Sequence, residues 1–266
     1  MYYNQYNFAH TTYPSPTLPK ATVASGGCGV VCASMVIEIL TKKSFPPEKS
    51  APFSISIGAR VIGGTDMLKL GRGISKEFGL DFTTTNDVNM LKSHMQKGGL
   101  AIVNVSGDRA GYTGLFSNSG HFITCIRTDK THFAIYDPGY WQGKFNQPGR
   151  TGKVTINGNE IYVRHNVLDL DCIGRNPRYY LFAKAGEEKD MALIKTIMQR
   201  TGKSEEEVIE ALSVLIQFAN VKEGEWEKEG VQKLMQMRLI NTHRDGREMV
   251  EFGELGLILD RFKKMM

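Results

Sequence analysis

The sequence has 266 residues, of which 41% are hydrophobic and 23% are charged, a composition typical of globular proteins and unlike that of disordered chains. Lys and Arg number 33 against 28 Asp and Glu, which gives a net charge of +5, yet no compact Lys/Arg cluster of a nucleic-acid-binding protein occurs. No apolar run approaches the length of a membrane span. These features argue against nucleic-acid binding and against a membrane span.

The first predicted element is a helix that follows a polar, Pro-rich lead-in over residues 1–23. The segment "SFPPEKSAPF" interrupts the helical pattern with three prolines, which are strong breakers of regular structure. A second helix is predicted from Asp87 to Gln96, where Asp87 can cap its beginning and Gly98 with Gly99 can end it. The first helix is predicted from one apolar stripe at helical spacing: Cys32, Met35, Val36, Ile39 and Leu40.

Short runs rich in β-branched and aromatic residues then predict strands over residues 100–106, 121–128, 132–137 and 178–185. Asn157 and Gly158 lie between two further β-prone arms in residues 153–163, and Asn-Gly is a strong hairpin signal. Helices first and antiparallel strands afterwards predict an α+β domain over residues 1–186.

Residues 187–266 differ in character and predict a small three-helix domain. Residues 1–186 carry a net charge of +8 and residues 187–266 a net charge of −3, which together give the +5 of the whole chain. Ser204 and Glu207 have the spacing of a helix capping box, and residues 225–240 and 250–262 are two further amphipathic segments. The charge asymmetry indicates two units with different partners.

Cys28 stands apart from the other three cysteines. A zinc site built on Cys28 and Cys32 is disfavoured, because paired zinc ligands are usually closer and no second tight pair occurs. No metal or other cofactor is therefore predicted. Cys32, Cys125 and Cys172 are interpreted as buried small hydrophobic residues, as free cysteines often are.

Cys28 is predicted to be a nucleophile. It lies between glycines, which let backbone approach closely, at the start of the first helix, where the helix dipole favours a thiolate. His121 opens one predicted strand and Asp137 ends the next, so a hairpin would bring them to the same end. A thiol, a base and a residue that orients the base form the arrangement of a cysteine peptidase. His132, at the start of the second strand, is the alternative base.

The ordered segments "YYNQ", "GGCGVVCASMVI" and "GHFITCIRTDKTHFAIYDPGYW" resemble the papain-like peptidases of the bacteriocin double-glycine leader-peptidase type, especially their C39-like branch. The resemblance covers residues 1–185 and implies a papain-like cysteine peptidase domain, with its first helix packed on an antiparallel sheet. It implies that Cys28 is the nucleophile, His121 the base and Asp137 the residue that orients the imidazole. Gln5 matches the glutamine whose amide stabilises the oxyanion. The alternative for Gln5 is a solvated residue near the chain terminus.

The C-terminal segment "EWEKEGVQKLMQMRLINTHRDGREMVEFGELGLILDRF" resembles small helical modules of phage endolysins and wall proteins. The alternative is a three-helix module that caps or dimerises the enzyme. The matching residues are Trp226, Gly230, Val231, Ile240, Asn241, Glu254, Leu255 and Phe262.

Together the two resemblances imply a phage or prophage endolysin that cleaves an amide bond in bacterial peptidoglycan, as an endopeptidase or N-acetylmuramoyl-L-alanine amidase. The first residues lack the charged and apolar regions of a secretory signal, so we expect synthesis in the cytoplasm and action on the wall after release at lysis. The alternatives are a cytosolic peptide-processing cysteine peptidase and a catalytically inactive binding protein with a papain-like cleft.

Overall fold

The computed structural model describes residues 1–185 together with residues 198, 199, 202, 204 and 207. The chain divides into two compact units, Met1–Lys184 and Ala185–Met266. In the second unit Ser204 N donates to Glu207 Oε2 over 2.9 Å, and Glu207 N donates to Ser204 Oγ over 3.3 Å, which confirms the predicted capping box. The other elements predicted for residues 187–266 lie outside the described residues.

Helices and strands of the first unit form a mixed α/β architecture, in agreement with the predicted α+β class. The helices are α1 (Val23–Gly26), α2 (Cys28–Thr41), α3 (Pro47–Ser56), α4 (Met67–Phe78), α5 (Val88–Gln96) and α6 (His165–Asp171). Two short 3-10 segments, Gln5–Phe8 and Lys144–Asn146, accompany them. Within the described part of the chain, no helix is long and apolar enough to cross a membrane.

Seven strands of residues 1–185 form the main sheet in the order β3-β9-β4-β5-β6-β8-β7, with every neighbouring pair antiparallel. A separate two-stranded hairpin joins β1 to β2. The strands are β1 (Arg60–Val61), β2 (Gly64–Thr65), β3 (Leu80–Thr85), β4 (Leu100–Val105), β5 (His121–Thr128), β6 (His132–Tyr136), β7 (Val154–Asn157), β8 (Glu160–Arg164) and β9 (Tyr179–Lys184).

Helix α2 lies at the centre of the core. It is buried on more sides than the single apolar stripe that the sequence predicts. The helix contacts α3 and α4 as well as strands β4, β5 and β9, so it is covered by helices and by the sheet. Side chains on nearly every side are therefore buried, whereas Ile39 of the predicted stripe is only partly buried. The hydrophobic side chains with no exposed area are Val30, Val31, Cys32, Ala33, Met35, Val36 and Ile37.

Four elements of six or more residues depart from the sequence prediction. The Pro-rich segment that was predicted to be a break contains α3, because Pro47 occupies the first turn, where proline's missing N–H costs no hydrogen bond. Helix α4, strand β3 and helix α6 were not predicted. In α4 the core-facing residues do recur at helical spacing, but glycines at 71 and 73 weaken the pattern.

The β5–β6 hairpin determines where the candidate site lies. Its strands are those predicted for residues 121–128 and 132–137, and Thr124 pairs with Tyr136. The turn therefore leaves the beginning of β5 and the residue after β6 at the same end of the sheet. Strand β5 also packs against α2, whose first residue is Cys28.

Candidate active site

Cys28 occupies the first position of the 14-residue helix α2, with Gly27 as its N-cap. A Cβ on Gly27 would lie 2.7 Å from the Val23 carbonyl oxygen, and a Cβ on Gly29 would lie 2.8 Å from Thr65 Cβ. Neither position can hold a side chain without displacing its neighbours. The two glycines thus let α1 and β2 pack closely against the start of α2, where Cys28 is half-buried.

The imidazole of His121 lies between Asp137 and Cys28. Its Nε2 is 2.8 Å from Asp137 Oδ1, and the Cys28 thiol lies beside the ring, close enough that each group shifts the pKa of the other. Because Nε2 of His121 contacts the Asp137 carboxylate, Nδ1 is the ring nitrogen available to the Cys28 sulfur. The His121 side chain is 10% exposed and that of Asp137 is fully buried, so water competes little for these contacts.

The surroundings of Cys28 stabilise its thiolate form. Burial alone would raise its pKa, but the hydrogen bond and positive charge of His121, with backbone hydrogen bonds from Phe122 and Gly29, lower the pKa below the usual thiol value. A charged hydrogen bond from imidazolium to thiolate is stronger than a neutral one. The position at a helix N-terminus acts in the same direction.

The pKa of His121 moves in the opposite direction. Burial opposes the charged imidazolium, but hydrogen bonds to Asp137 and Cys28 and their negative charges raise the pKa to about 9. A lowered thiol pKa and a raised imidazole pKa both favour a thiolate–imidazolium pair. This is the protonation state in which a cysteine can attack without prior loss of a proton.

Asp137 is held ionised by Lys144, a residue that the sequence did not identify. Lys144 Nζ lies 2.6 Å from Asp137 Oδ2, and the Gly139 N–H donates to Oδ1 over 2.8 Å. Burial would raise the carboxyl pKa, but the charges and hydrogen bonds of Lys144 and His121 lower it to about 2. Lys144 is only 4% exposed, an unusual position for a lysine unless it is paired.

Gln5 is buried rather than solvated, so its placement agrees with the family resemblance and not with the terminal alternative. It is 8% exposed and lies in the short helical segment Gln5–Phe8. Its backbone N–H donates to the Pro138 carbonyl over 2.7 Å, and its Nε2 donates to the Ala24 carbonyl over 3.0 Å. Gln5 therefore connects the segment after Asp137 with the segment before Cys28.

The other cysteines are buried, as predicted from their patterns. Cys32, one turn along α2 from Cys28, has its pKa raised well above the usual value by burial. Burial likewise raises the pKa of Cys125 and of Cys172. Among the residues that the structure describes, no group of three His, Cys, Asp or Glu side chains could hold a metal ion.

His132, the alternative base, lies at the opposite end of the β5–β6 hairpin from Cys28. Its Nδ1 is 2.7 Å from Thr131 Oγ1, a contact within the turn. Beside the candidate site, Tyr140 is half-buried and Trp141 is 43% exposed. The structure thus brings Cys28, His121, Asp137 and Gln5 to one end of the sheet and leaves His132 at the other.

Comparisons with known proteins leave the family open. No family model matches the chain, and no curated protein matches it. A crystal structure from Bacillus anthracis, described as a C39-like peptidase, is similar over 66% of this chain and 96% of its own, with 13% identity and a TM-score of 0.42. Function has to be inferred from the geometry of the site itself.

Proposed function

We propose that residues 1–185 form a papain-like cysteine hydrolase that cleaves an amide bond through a thioester intermediate. The observation that carries this proposal is the chain of contacts from the Cys28 thiol through His121 to the buried carboxylate of Asp137. Burial alone would protonate a thiol, yet the pKa of Cys28 is lowered. A site that stabilises a thiolate at a helix N-terminus is suited to nucleophilic attack.

The reaction follows from the positions of the protons. The Cys28 thiolate attacks the carbonyl carbon of the amide, and the carbonyl electron pair moves to oxygen. The tetrahedral intermediate collapses to a thioester as His121 gives its proton to the departing amine. Neutral His121 then takes a proton from water, whose oxygen attacks the thioester. The carboxylic acid product leaves, and the thiolate and imidazolium are restored.

Asp137 and Gln5 have supporting roles in this scheme. The carboxylate of Asp137 holds Nε2 of His121 and stabilises the imidazolium that must be present before the amine departs. The Cys28 N–H, in the first turn of α2, has no acceptor within that helix. This N–H and the Gln5 side-chain amide would donate to the oxyanion, and the contact from Gln5 to Ala24 keeps that amide beside the nucleophile's segment.

For the substrate, we place the enzyme among the endolysins, acting on bacterial peptidoglycan as an endopeptidase or N-acetylmuramoyl-L-alanine amidase after release at lysis. The net charge of +8 on residues 1–186 favours association with an anionic wall. The resemblance of residues 225–262 to endolysin modules supports a wall-binding role for the second unit.

The test is digestion of purified Gram-positive walls by the full chain and by Cys28→Ala, with mass spectrometry of the fragments. Cys32→Ala is the matched control, because it removes a thiol from the next turn of the same helix. We expect the wild type and Cys32→Ala to clear the suspension and Cys28→Ala to leave it turbid. New amines within stem peptides identify an endopeptidase, and freed L-alanine amines on intact stems identify an amidase.

The two levels of the proposal fail separately. If every wall type stays turbid but iodoacetamide labels Cys28 much faster than free cysteine at pH 6, the peptidoglycan assignment is wrong and the hydrolase remains. If labelling is as slow as that of free cysteine, the thiolate is absent and the hydrolase itself is refuted. A chain ending at residue 186 tests the wall-binding role, because undiminished binding would show that the second unit is not the anchor.

A further inference from the structure

A cleft adjoins the chain immediately before Cys28. Its volume is about 450 Å³, and Ser25 and Gly26 form one wall of it. The β1–β2 hairpin contributes Arg60 and Gly63, and the segment containing Lys20 completes the lining. A substrate residue beside the scissile bond at Cys28 could therefore place its side chain in this cleft.

The charged residues that line this cleft are all positive. Arg60 and Lys20 are its charged residues, and no Asp or Glu is among the residues that line it. The Lys20 side chain is exposed and Arg60 is partly buried. A site with two cations and no carboxylate of its own is complementary to an anionic group.

The Arg60 guanidinium is held in one orientation. Its Nε donates to the carbonyl oxygens of Tyr13 and Pro14 over 3.0 and 3.3 Å, and its Nη1 donates to those of Val61 and Gly64 over 3.2 and 2.7 Å. The group also lies 4.2 Å from the centre of the Tyr13 ring. Four carbonyl contacts and a stacked ring leave little conformational entropy to be lost when a ligand binds.

One nitrogen of the Arg60 guanidinium, Nη2, is available to a ligand. Among the described residues, Nη2 of Arg60 makes no hydrogen bond, although Nε and Nη1 make two each. A Cβ on Gly26 would lie 3.6 Å from Nη2 and 3.7 Å from Nη1. The Gly26 backbone therefore lies beside Nη2, the guanidinium nitrogen whose N–H groups remain available in the cleft before Cys28.

We infer that this cleft is a substrate subsite that selects a carboxylate on the residue next to the scissile bond, with Arg60 as its anchor and Lys20 as a second cation. The inference rests on the proposed function, since it assigns the selectivity of the same site. The free Nη2 of Arg60 can donate a charged hydrogen bond to a carboxylate oxygen, and such a bond is stronger than a neutral one. The expected substrate class is acidic peptides, which includes wall stem peptides with free carboxylates.

The test measures binding without requiring cleavage, using the full chain with Cys28→Ala. It is titrated with N-acetyl-Ala-Glu-Ala-amide and with the matching Gln peptide, and NMR shift changes give the affinities. We expect the Glu peptide to bind about tenfold more tightly, the effect typical of one hydrogen bond to a charged group. Lys20→Glu should remove this preference, whereas Lys43→Glu, an exposed lysine outside the cleft, should keep it.

Arg60→Gln should also abolish the preference, with circular dichroism as the check that the carbonyl contacts it loses have not unfolded the chain. Equal affinity for the two peptides, or no binding of either, overturns the subsite. An equal loss in Lys20→Glu and Lys43→Glu also overturns it, because that pattern indicates general attraction to a basic protein. Iodoacetamide labelling of the wild type reports separately on the thiolate, so the subsite and the proposed reaction can fail independently.

Discussion

The two ends of the β5–β6 hairpin use the same residue types in different surroundings. At one end His121 faces Asp137 over 2.8 Å, with side chains 10% and 0% exposed. At the other end His132 lies 3.9 Å from Asp129, with side chains 33% and 59% exposed. The carboxylate of Asp129 accepts instead from the backbone N–H groups of Thr131 and His132, so it organises the turn.

The second end also has a cationic cleft, of about 380 Å³, that contains His132 and His165. There, burial and the positive charge of Lys92 lower the pKa of His165, whereas the pKa of His121 is raised. No cysteine lines this cleft. A His–Asp pair therefore becomes a candidate catalytic group only where burial removes competing water and a thiol supplies a second charged partner.

The largest expected effect separates the two ends directly. His121→Ala should lower kcat/KM by about 10³-fold or more, because general acid–base catalysis by a positioned histidine contributes up to about 10⁴-fold. His132→Ala, which removes an imidazole from the turn end, should stay within about twofold, as surface changes away from a site usually do. The measurement is the rate of wall-fragment release at equal protein concentration. Similar losses of activity in His121→Ala and His132→Ala would show that the two ends of the hairpin do not differ in catalysis.

A second prediction concerns the pH range of activity. The thiolate–imidazolium pair exists above the lowered pKa of Cys28 and below the raised pKa of His121, so activity should fall as pH rises through about 9. Asp137→Asn removes the negative charge that raises the His121 pKa. The alkaline limb of kcat/KM should therefore move to lower pH, and the maximum should fall by about 10²-fold, within the range for loss of acid–base assistance.

Asp129→Asn is the matched control at the turn end and should leave the pH profile unchanged. The double variant Asp137→Asn/Lys144→Met removes both buried charges and so separates catalysis from folding. It should recover the melting temperature lost in Asp137→Asn but not the activity. An unshifted alkaline limb in Asp137→Asn would mean that the carboxylate does not control the imidazole.

Lys144→Met tests the buried cation behind Asp137 and should have a smaller effect near neutral pH. Lys144 lowers the Asp137 pKa, so its loss should raise that pKa and move the acid limb of kcat/KM to higher pH. Removing one partner of a buried ion pair should also lower the free energy of unfolding by about 3–5 kcal/mol. Lys130→Met, an exposed lysine at the turn end, should change neither. A loss of activity at all pH values without a shifted acid limb would assign Lys144 to folding alone.

The sequence was sufficient to predict much of this site because its signals are local. Glycines on both sides of Cys28 predict close packing, and the structure places a Cβ at either glycine within 3 Å of a neighbour. His121 and Asp137 lie at the beginning of one strand run and the end of the next, so hairpin pairing alone brings them together.

Other features depend on contacts between distant segments and could not be predicted. Lys144 follows Asp137 by seven residues, and a single lysine in a polar loop is indistinguishable from a solvated one until its burial is known. The orientation of the Arg60 guanidinium likewise depends on hydrogen bonds to the carbonyl groups of Tyr13 and Pro14, which lie far away in sequence. Helix α2 is buried on nearly all sides because α3 covers it. Its prolines make α3 itself hard to predict as a helix from the sequence.

The smallest expected effect concerns the packing of the imidazole. A Cβ on Gly139 would lie 3.1 Å from His121 Cε1 and 3.2 Å from Nε2, so Gly139→Ala should push the ring by a few tenths of an ångström. We expect about a threefold to tenfold loss of kcat, because misplacement of a reacting group lowers the rate even when its chemistry is intact. Gly64→Ala, at a glycine with open space around it, should leave kcat unchanged. Full activity in Gly139→Ala would mean that the ring tolerates displacement, and that the contacts of His121 with Asp137 and Cys28 alone determine its position.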